Sequence, residues 1–336
     1  MSSGSGNNKY QKNRRRRRCL RPQFLFACFI LIATLSLIGF LVAKIIPSEE
    51  QMNEKTPAST SGVGVATQPS ESDVASTTES LQKPTIPSGY GKAYSDIHRG
   101  ALVLVSNDHD YTFPEIELIT ALKKKTSGYL VRDYSILMEK EAFWAFDNML
   151  SDFAKATGKK NVQITSAYRS RELQENVYQQ YEDKYGKEYA ESYVTRPGGS
   201  EHHTGLSVDL SIYNIDSHTS YEFTGKGAYS WVKENCAKYG IILRYTADKE
   251  EITGIAEETW HYRYVGVPHA AYMMEKGICL EEYINMMYDH PVTNPLNYGG
   301  YSIYYCPEDA LCVPYNQRCT ISGNNIDGYI VAATDK

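Results

Sequence analysis

Two short blocks carry the residue types from which a catalytic metal centre is built. The first runs Ser200-Glu201-His202-His203-Thr204-Gly205-Leu206-Ser207-Val208-Asp209, and the second is Glu258-Thr259-Trp260-His261. A catalytic zinc ion takes three protein ligands and keeps one position open for water, and His202, Asp209 and His261 supply two nitrogens and one oxygen. Glu258 is then left as a base for proton transfer. Taken alone, a Glu-x-x-His or a His beside a Gly is more often a turn or surface feature than a ligand. The joint appearance of both blocks, with Arg169 upstream in Ser166-Ala167-Tyr168-Arg169-Ser170, is what points to hydrolysis at a zinc centre.

The spacing sets demands on the backbone. Gly205 permits a tight turn between His202 and a strand over 206–210, so that two side chains seven positions apart meet at one point. Alternation aims Ser207 and Asp209 the same way. Residues 261–265 have aromatic and β-branched strand character, with His261, Arg263 and Val265 on one face and the tyrosines on the other. On an ideal strand Glu258 and His261 would face opposite ways, which predicts an irregular backbone between them, anchored by packing of Trp260.

These blocks resemble the VanY-type D-alanyl-D-alanine carboxypeptidases, a zinc peptidase group that includes VanX-type dipeptidases and L,D-carboxypeptidases. The family pattern Ser-x-His-x-x-Gly-x-Ala-x-Asp is met at Ser200, His202, Gly205 and Asp209, with Ser207 in place of Ala, and the Glu-Pro-Trp-His segment has Thr259 in place of Pro. Similar stretches at 166–170, Gln174, 241–245 and 263–266 extend the resemblance over roughly residues 96–289. It implies zinc ligands His202, Asp209 and His261, Glu258 as general base and Arg169 stabilising the oxyanion. Tyr168, Gln174, Ser200 and His203 are candidate substrate contacts. Aromatic packing for Tyr168, a solvated helix face for Gln174 and plain solvation for His203 are the alternatives.

Residues 1–23 hold eight of the 35 Lys and Arg and none of the 40 acids, which leaves 27 basic against 40 acidic residues, or −13, for the remainder. An acidic remainder argues against nucleic acid as a partner. The uncharged run at 24–43 is long enough to span a bilayer core of about 30 Å, and the arginines before it predict an N-in, C-out anchor in a bacterial membrane. Residues 44–90, rich in Ser, Thr and Pro, read as a flexible stalk. A zinc carboxypeptidase domain at 91–290 and a small β extension at 291–336 follow.

Expected strands at 101–106, 162–165, 206–210, 240–243 and 261–265 mix with helices at 139–157, 171–185 and 229–239. The fold class is α+β, a mainly antiparallel sheet flanked by helices. Two strands with Gly/Asn/Asp turns make the extension, in which Cys306, Cys312 and Cys319 are close enough in sequence for one disulfide, with Cys306–Cys319 the favoured pairing of those left open.

The expected function is zinc-dependent removal of the C-terminal D-Ala from peptidoglycan stem pentapeptides, with a role in wall remodelling or glycopeptide resistance. An L,D-carboxypeptidase acting on tetrapeptide stems is the alternative with the same machinery. A non-catalytic peptidoglycan-binding or sensing protein is the alternative of another class, and the presence of both Glu258 and Arg169 weighs against it.

Overall fold

The computed structural model describes residues 87–335, apart from 94, 188, 189 and 191–193. The basic tail, the apolar run at 24–43 and nearly all of the stalk lie outside the described residues. No helix among the described residues is long and apolar enough to cross a membrane.

The first half of the fold contains β1 (Tyr90–Lys92), β2 (Leu118–Thr120), β3 (Leu130–Val131), β4 (Leu137–Glu139), α1 (Lys140–Thr157), β5 (Val162–Ser166) and α2 (Arg171–Tyr185). There follow β6 (Ser207–Asn214), β7 (Thr219–Glu222), β8 (Ile241–Leu243), β9 (His261–Tyr264), α3 (Val267–Lys276) and α4 (Leu280–Met287). The chain ends in β10 (Leu296–Tyr298), β11 (Tyr301–Pro307), β12 (Cys312–Pro314), β13 (Gln317–Gly323) and β14 (Gly328–Asp335). The central sheet has the order β3-β5-β6-β9-β8, with β7 paired to β6. Its β3–β5 pair is parallel and its other pairs antiparallel, as expected for the α+β class.

Helix α1 starts where the Glu139 side chain accepts from the Ala142 N–H, and it stops at Gly158. Its Phe143, Phe146, Leu150 and Phe153 bury one helical stripe against Val162 and Ile164 of β5, Val208 and Leu210 of β6, and Tyr262 of β9. That packing uses one face of β6 and β9. Ser207, Asp209, His261 and Arg263 are thereby left for the opposite face.

Four expectations need correction. Residues 101–106 are not a strand, although Leu102, Val103, Leu104 and Val105 are buried. Their backbone groups find partners outside any strand ladder instead: the Leu102 N–H donates to Ser322 Oγ, the Leu104 N–H to the Asn324 carbonyl, and the Ala101 and Val103 carbonyls accept from Arg263. The helix expected at 229–239 is broken into a 3-10 turn Gly227–Tyr229, a short helix Ser230–Asn235 and a second 3-10 turn Cys236–Tyr239. The C-terminal extension is larger than two strands. It is a four-stranded antiparallel sheet in the order β10-β11-β14-β13, beside a β1–β12 pair. Its Ile303, Ile330 and Ala332 share one hydrophobic cluster with Leu280, Tyr283, Ile284 and Met287 of α4.

The expected Cys306–Cys319 disulfide is also absent, because β11 and β13 lie on opposite sides of β14. The juxtaposed thiols are those of Cys306 and Cys312, 3.9 Å apart and each residue 2% exposed. Exchange with a small-molecule disulfide should therefore close Cys306–Cys312. Peptide mapping after alkylation checks this, and recovery of a Cys306–Cys319 peptide would contradict it.

Candidate metal centre

Gly205 closes the 3-10 turn Glu201–Thr204 with a φ of 69°. A Cβ at that position would sit 2.8 Å from the Glu139 nitrogen, whose N–H donates to the Gly205 carbonyl. The turn thus needs glycine twice over, for its left-handed backbone and for the close approach. It swings His202 over the start of β6, where Asp209 stands directly across from His261 in the antiparallel β6–β9 register. His202 Nε2 is 3.2 Å from Asp209 Oδ2, and His261 Nδ1 is 3.1 Å from Asp209 Oδ1. One donor atom from each of the three residues falls within 4.8 Å of the other two.

The remaining ring nitrogens fix which atoms face inward. His202 Nδ1 lies 2.7 Å from the Ala167 carbonyl, which only accepts, so Nδ1 carries the proton and the Nε2 lone pair points to Asp209. His261 Nε2 lies 3.4 Å from Glu201 Oε2, which leaves Nδ1 for the cluster. Two imidazole nitrogens and one carboxylate oxygen converging in this way fit a divalent ion of borderline softness such as zinc.

Glu201 is the feature that sequence reasoning passed over. It is 2% exposed, and its Oε1 accepts from Arg244 Nε at 2.8 Å and Arg263 Nη1 at 2.7 Å. Burial alone would push its pKa up, but the two guanidiniums hold it well below the usual carboxylate range. Removing one partner of such a buried group costs about 3–5 kcal/mol, because it leaves an uncompensated buried charge. A signal was present in the sequence: Arg244 follows the apolar Ile241-Ile242-Leu243 and Arg263 lies in a strand, and two buried arginines require a carboxylate.

Glu258 precedes β9 on the irregular backbone that was expected. The His261 N–H donates to the Glu258 carbonyl across the turn, and Trp260 packs on the core. Thr259 anchors the turn by donating from Oγ1 to the Phe223 carbonyl at 2.8 Å, an anchor that a proline would lack. Glu258 Oε2 comes to 3.6 Å from His261 Nδ1. Burial pushes the Glu258 carboxyl up to about 7; Asp209 and Glu201 add to this, and His261 and Arg169 oppose it.

Arg169 stands just ahead of α2, whose N-cap Ser170 accepts from the Leu173 N–H. Its guanidinium donates to Gln174 Oε1 at 2.6 Å and to Ser166 Oγ at 3.2 Å. Burial works against its charge, and Asp209 and Glu258 work for it. Gln174 is not on a solvated face: it is 1% exposed, and its amide also donates to the Thr195 carbonyl. His203 is likewise not solvated. It is fully buried, with Nδ1 on the Arg169 carbonyl, Nε2 accepting from the Gly198 N–H and its ring against Phe113. Burial pushes its pKa down to about 4 and keeps it neutral. Ser200 is buried at 3%, and Tyr168 is half-buried with its N–H on the Leu137 carbonyl.

Ser207 lies in the same sheet opposite Arg263, and its Oγ is buried without a hydrogen-bond partner among the described residues. Ser207→Ala should therefore raise stability by about 1 kcal/mol, read as a higher Tm. A lower Tm would show that the hydroxyl is satisfied.

Residues 135–267 match the VanY family model, described as D-alanyl-D-alanine carboxypeptidase. A D-alanyl-D-alanine carboxypeptidase of Enterococcus faecium is 37% identical over 263 residues, which span 76% of this chain and 80% of that one. The chain belongs to the VanY family. A second VanY relative, the bifunctional D-Ala-D-Ala dipeptidase and D-Ala-D-Ala carboxypeptidase VanXYC of Enterococcus gallinarum, is 32% identical over 154 residues, or 45% of this chain and 79% of its own. Among solved structures, the vancomycin resistance D,D-dipeptidase VanXYg, in complex with a D-Ala-D-Ala phosphinate analog, is 32% identical. It covers 70% of this chain and 94% of its own, with a TM-score of 0.62.

Proposed function

We propose that this VanY-family protein is a zinc-dependent D,D-carboxypeptidase that removes the C-terminal D-Ala from peptidoglycan stem pentapeptides. The observation that carries the reading is the convergence of His202, Asp209 and His261, with Glu258 beside them. The D,D specificity is supported by the activity named for the Enterococcus faecium relative. When bound, zinc supplies Lewis-acid activation of water and of the scissile carbonyl near neutral pH. Glu258 accepts the proton of the attacking water and returns it to the leaving amine, a task for which its carboxylate is placed by lying 3.6 Å from His261 Nδ1 without being one of the three converging groups. Arg169, held by Gln174 and Ser166, offers directed donors to the oxyanion. The basic tail and apolar run of residues 1–43 support tethering of this domain on the outer side of the membrane.

The test is mass-spectrometric product analysis of the purified full chain with pentapeptide and tetrapeptide stems, with and without chelator. Metal-dependent loss of one D-Ala from the pentapeptide alone is expected. Trimming of the tetrapeptide would move the assignment to L,D-carboxypeptidase, and failure to cleave either by the zinc-loaded protein would overturn both. Arg169→Lys should lower kcat by about 10²–10³-fold at unchanged zinc content, because an ammonium cannot reproduce the planar fork that meets Gln174, Ser166 and substrate together. Native kcat in that variant would remove Arg169 from the mechanism.

A further inference from the structure

We infer that the C-terminal β sheet is a positioning element for the metal centre, acting through residues 97–104, Arg263 and Glu201 on the ring of His261. The inference rests on the functional reading above only for the purpose it serves. The contacts themselves are independent of any bound ion.

The relay starts in the connection between β13 and β14. Asn325 has a φ of 63° and is 8% exposed. Its Nδ2 donates to the Leu104 carbonyl at 2.8 Å and to the Asp110 carbonyl at 3.1 Å, and its Oδ1 is 2.7 Å from His98 Nδ1. The Asn324 carbonyl accepts from the Leu104 N–H at 3.1 Å, and Ser322 Oγ accepts from the Leu102 N–H at 2.8 Å. Gly323 donates its N–H to the Arg99 carbonyl at 2.7 Å and faces the Ile97 carbonyl with no room for a Cβ. Four consecutive residues of the extension thus grip an irregular segment that no sheet holds.

That segment in turn holds Arg263. Arg263 Nη2 donates to the Ala101 carbonyl at 3.0 Å and the Val103 carbonyl at 2.9 Å, while Nη1 donates to Glu201 Oε1 at 2.7 Å. Glu201 Oε2 meets His261 Nε2 at 3.4 Å, and His261 Nδ1 faces Asp209 at 3.1 Å. Arg263 Nε donates to the neighbouring Tyr264 carbonyl at 3.1 Å, so in this fully buried side chain it is the two Nη groups whose placement depends on residues 101–103 and Glu201. If residues 101–103 shift, Arg263 Nη2 loses its two carbonyls and its hold on Glu201 loosens; Arg244 still anchors Glu201 Oε1 at 2.8 Å, so the carboxylate that orients the metal-facing imidazole is left with one of its two guanidiniums in place.

Partners that orient a ligand in this way typically change metal affinity by about 10–100-fold when lost. Asn325→Gly keeps the left-handed backbone and deletes the side-chain bonds. In the full chain it should weaken zinc about tenfold in chelator competition and lower kcat with KM within about twofold. In the metal-free, 15N-histidine-labelled chain, the buried Nε2 proton of His261 should exchange with water about tenfold faster than in the native protein. Arg318→Ala, exposed on β13 of the same sheet, should leave all three readouts native. A lower Tm for Asn325→Gly with native zinc affinity, kcat and Nε2 exchange would reduce the sheet to a stabiliser and overturn the inference. If Asn325→Gly does not fold, Ser322→Ala decides by the same readouts, with native values again overturning it. A native chain that neither holds zinc nor cleaves stem peptides would sink the functional reading alone, since Nε2 exchange in metal-free protein reads the relay without either.

Discussion

Glu258→Gln should bind zinc as the native chain does while kcat falls about 10²–10⁴-fold, the range expected for loss of a general acid–base group. The side chain keeps its size but can no longer take a proton, and it is not one of the three converging ligands. Metal analysis alongside single-turnover kinetics checks both halves. The same variant tests the electrostatics. Burial, with Asp209 and Glu201, raises the Glu258 carboxyl from 4.5 to about 7. A carboxyl raised on folding costs nothing below its unfolded pKa; the cost grows as pH climbs between the two values and is complete above the folded one. Metal-free Glu258→Gln should accordingly gain Tm on the native protein at pH 8 and not at pH 4. Equal Tm values at pH 8 would mean that Glu258 ionises without penalty.

His202→Ala should lose both zinc and turnover. It removes one of three donors and leaves the Ala167 carbonyl without its imidazole partner, so the remaining Asp209–His261 pair offers two ligands where three are required. Dialysis followed by metal analysis separates this variant from Glu258→Gln. Equal zinc content in the two would contradict the division between ligand and base. Against burial, Asp209 and Glu201 raise His261 to about 9 in the metal-free protein, so metal uptake near neutral pH releases a proton and weakens as pH falls.

The clustering of His202, Asp209 and His261 was legible from the residue types and from the spacing within each block. Gly205 announced the turn, alternation grouped Ser207 with Asp209 on one strand and His261 with Arg263 on the other, and the three-residue gap from Glu258 to His261 demanded a departure from strand geometry; the register that sets Asp209 against His261 came from the structure. Helix α1 was equally legible from the spacing of Phe143, Phe146, Leu150 and Phe153. What failed depended on partners distant in sequence. Residues 101–106 have the apolar composition of a strand, but their hydrogen bonds go to Ser322, Asn324 and Arg263, more than 150 positions away. Cys306 and Cys319 looked pairable until β14 intervened. For Gln174 and His203 the sequence suggested substrate contact or a solvated position, because nothing nearby in sequence shows that both hold Arg169, one at its guanidinium and one at its carbonyl.

The register in which Asp209 meets His261 also bears on how the chain folds. In an antiparallel pair a slip of one residue turns every side chain of a strand to the other face. Were β9 to slip against β6, Tyr262 would replace His261 beside Asp209 and the ligand triad would vanish, while the backbone ladder could still form. Of these pairings, only the native one brings the three donor groups together, so an ion bound there would stabilise that arrangement selectively through mass action. With zinc held as proposed, the metal would select the native strand pairing during folding, and chain refolded under chelation would lack that selection.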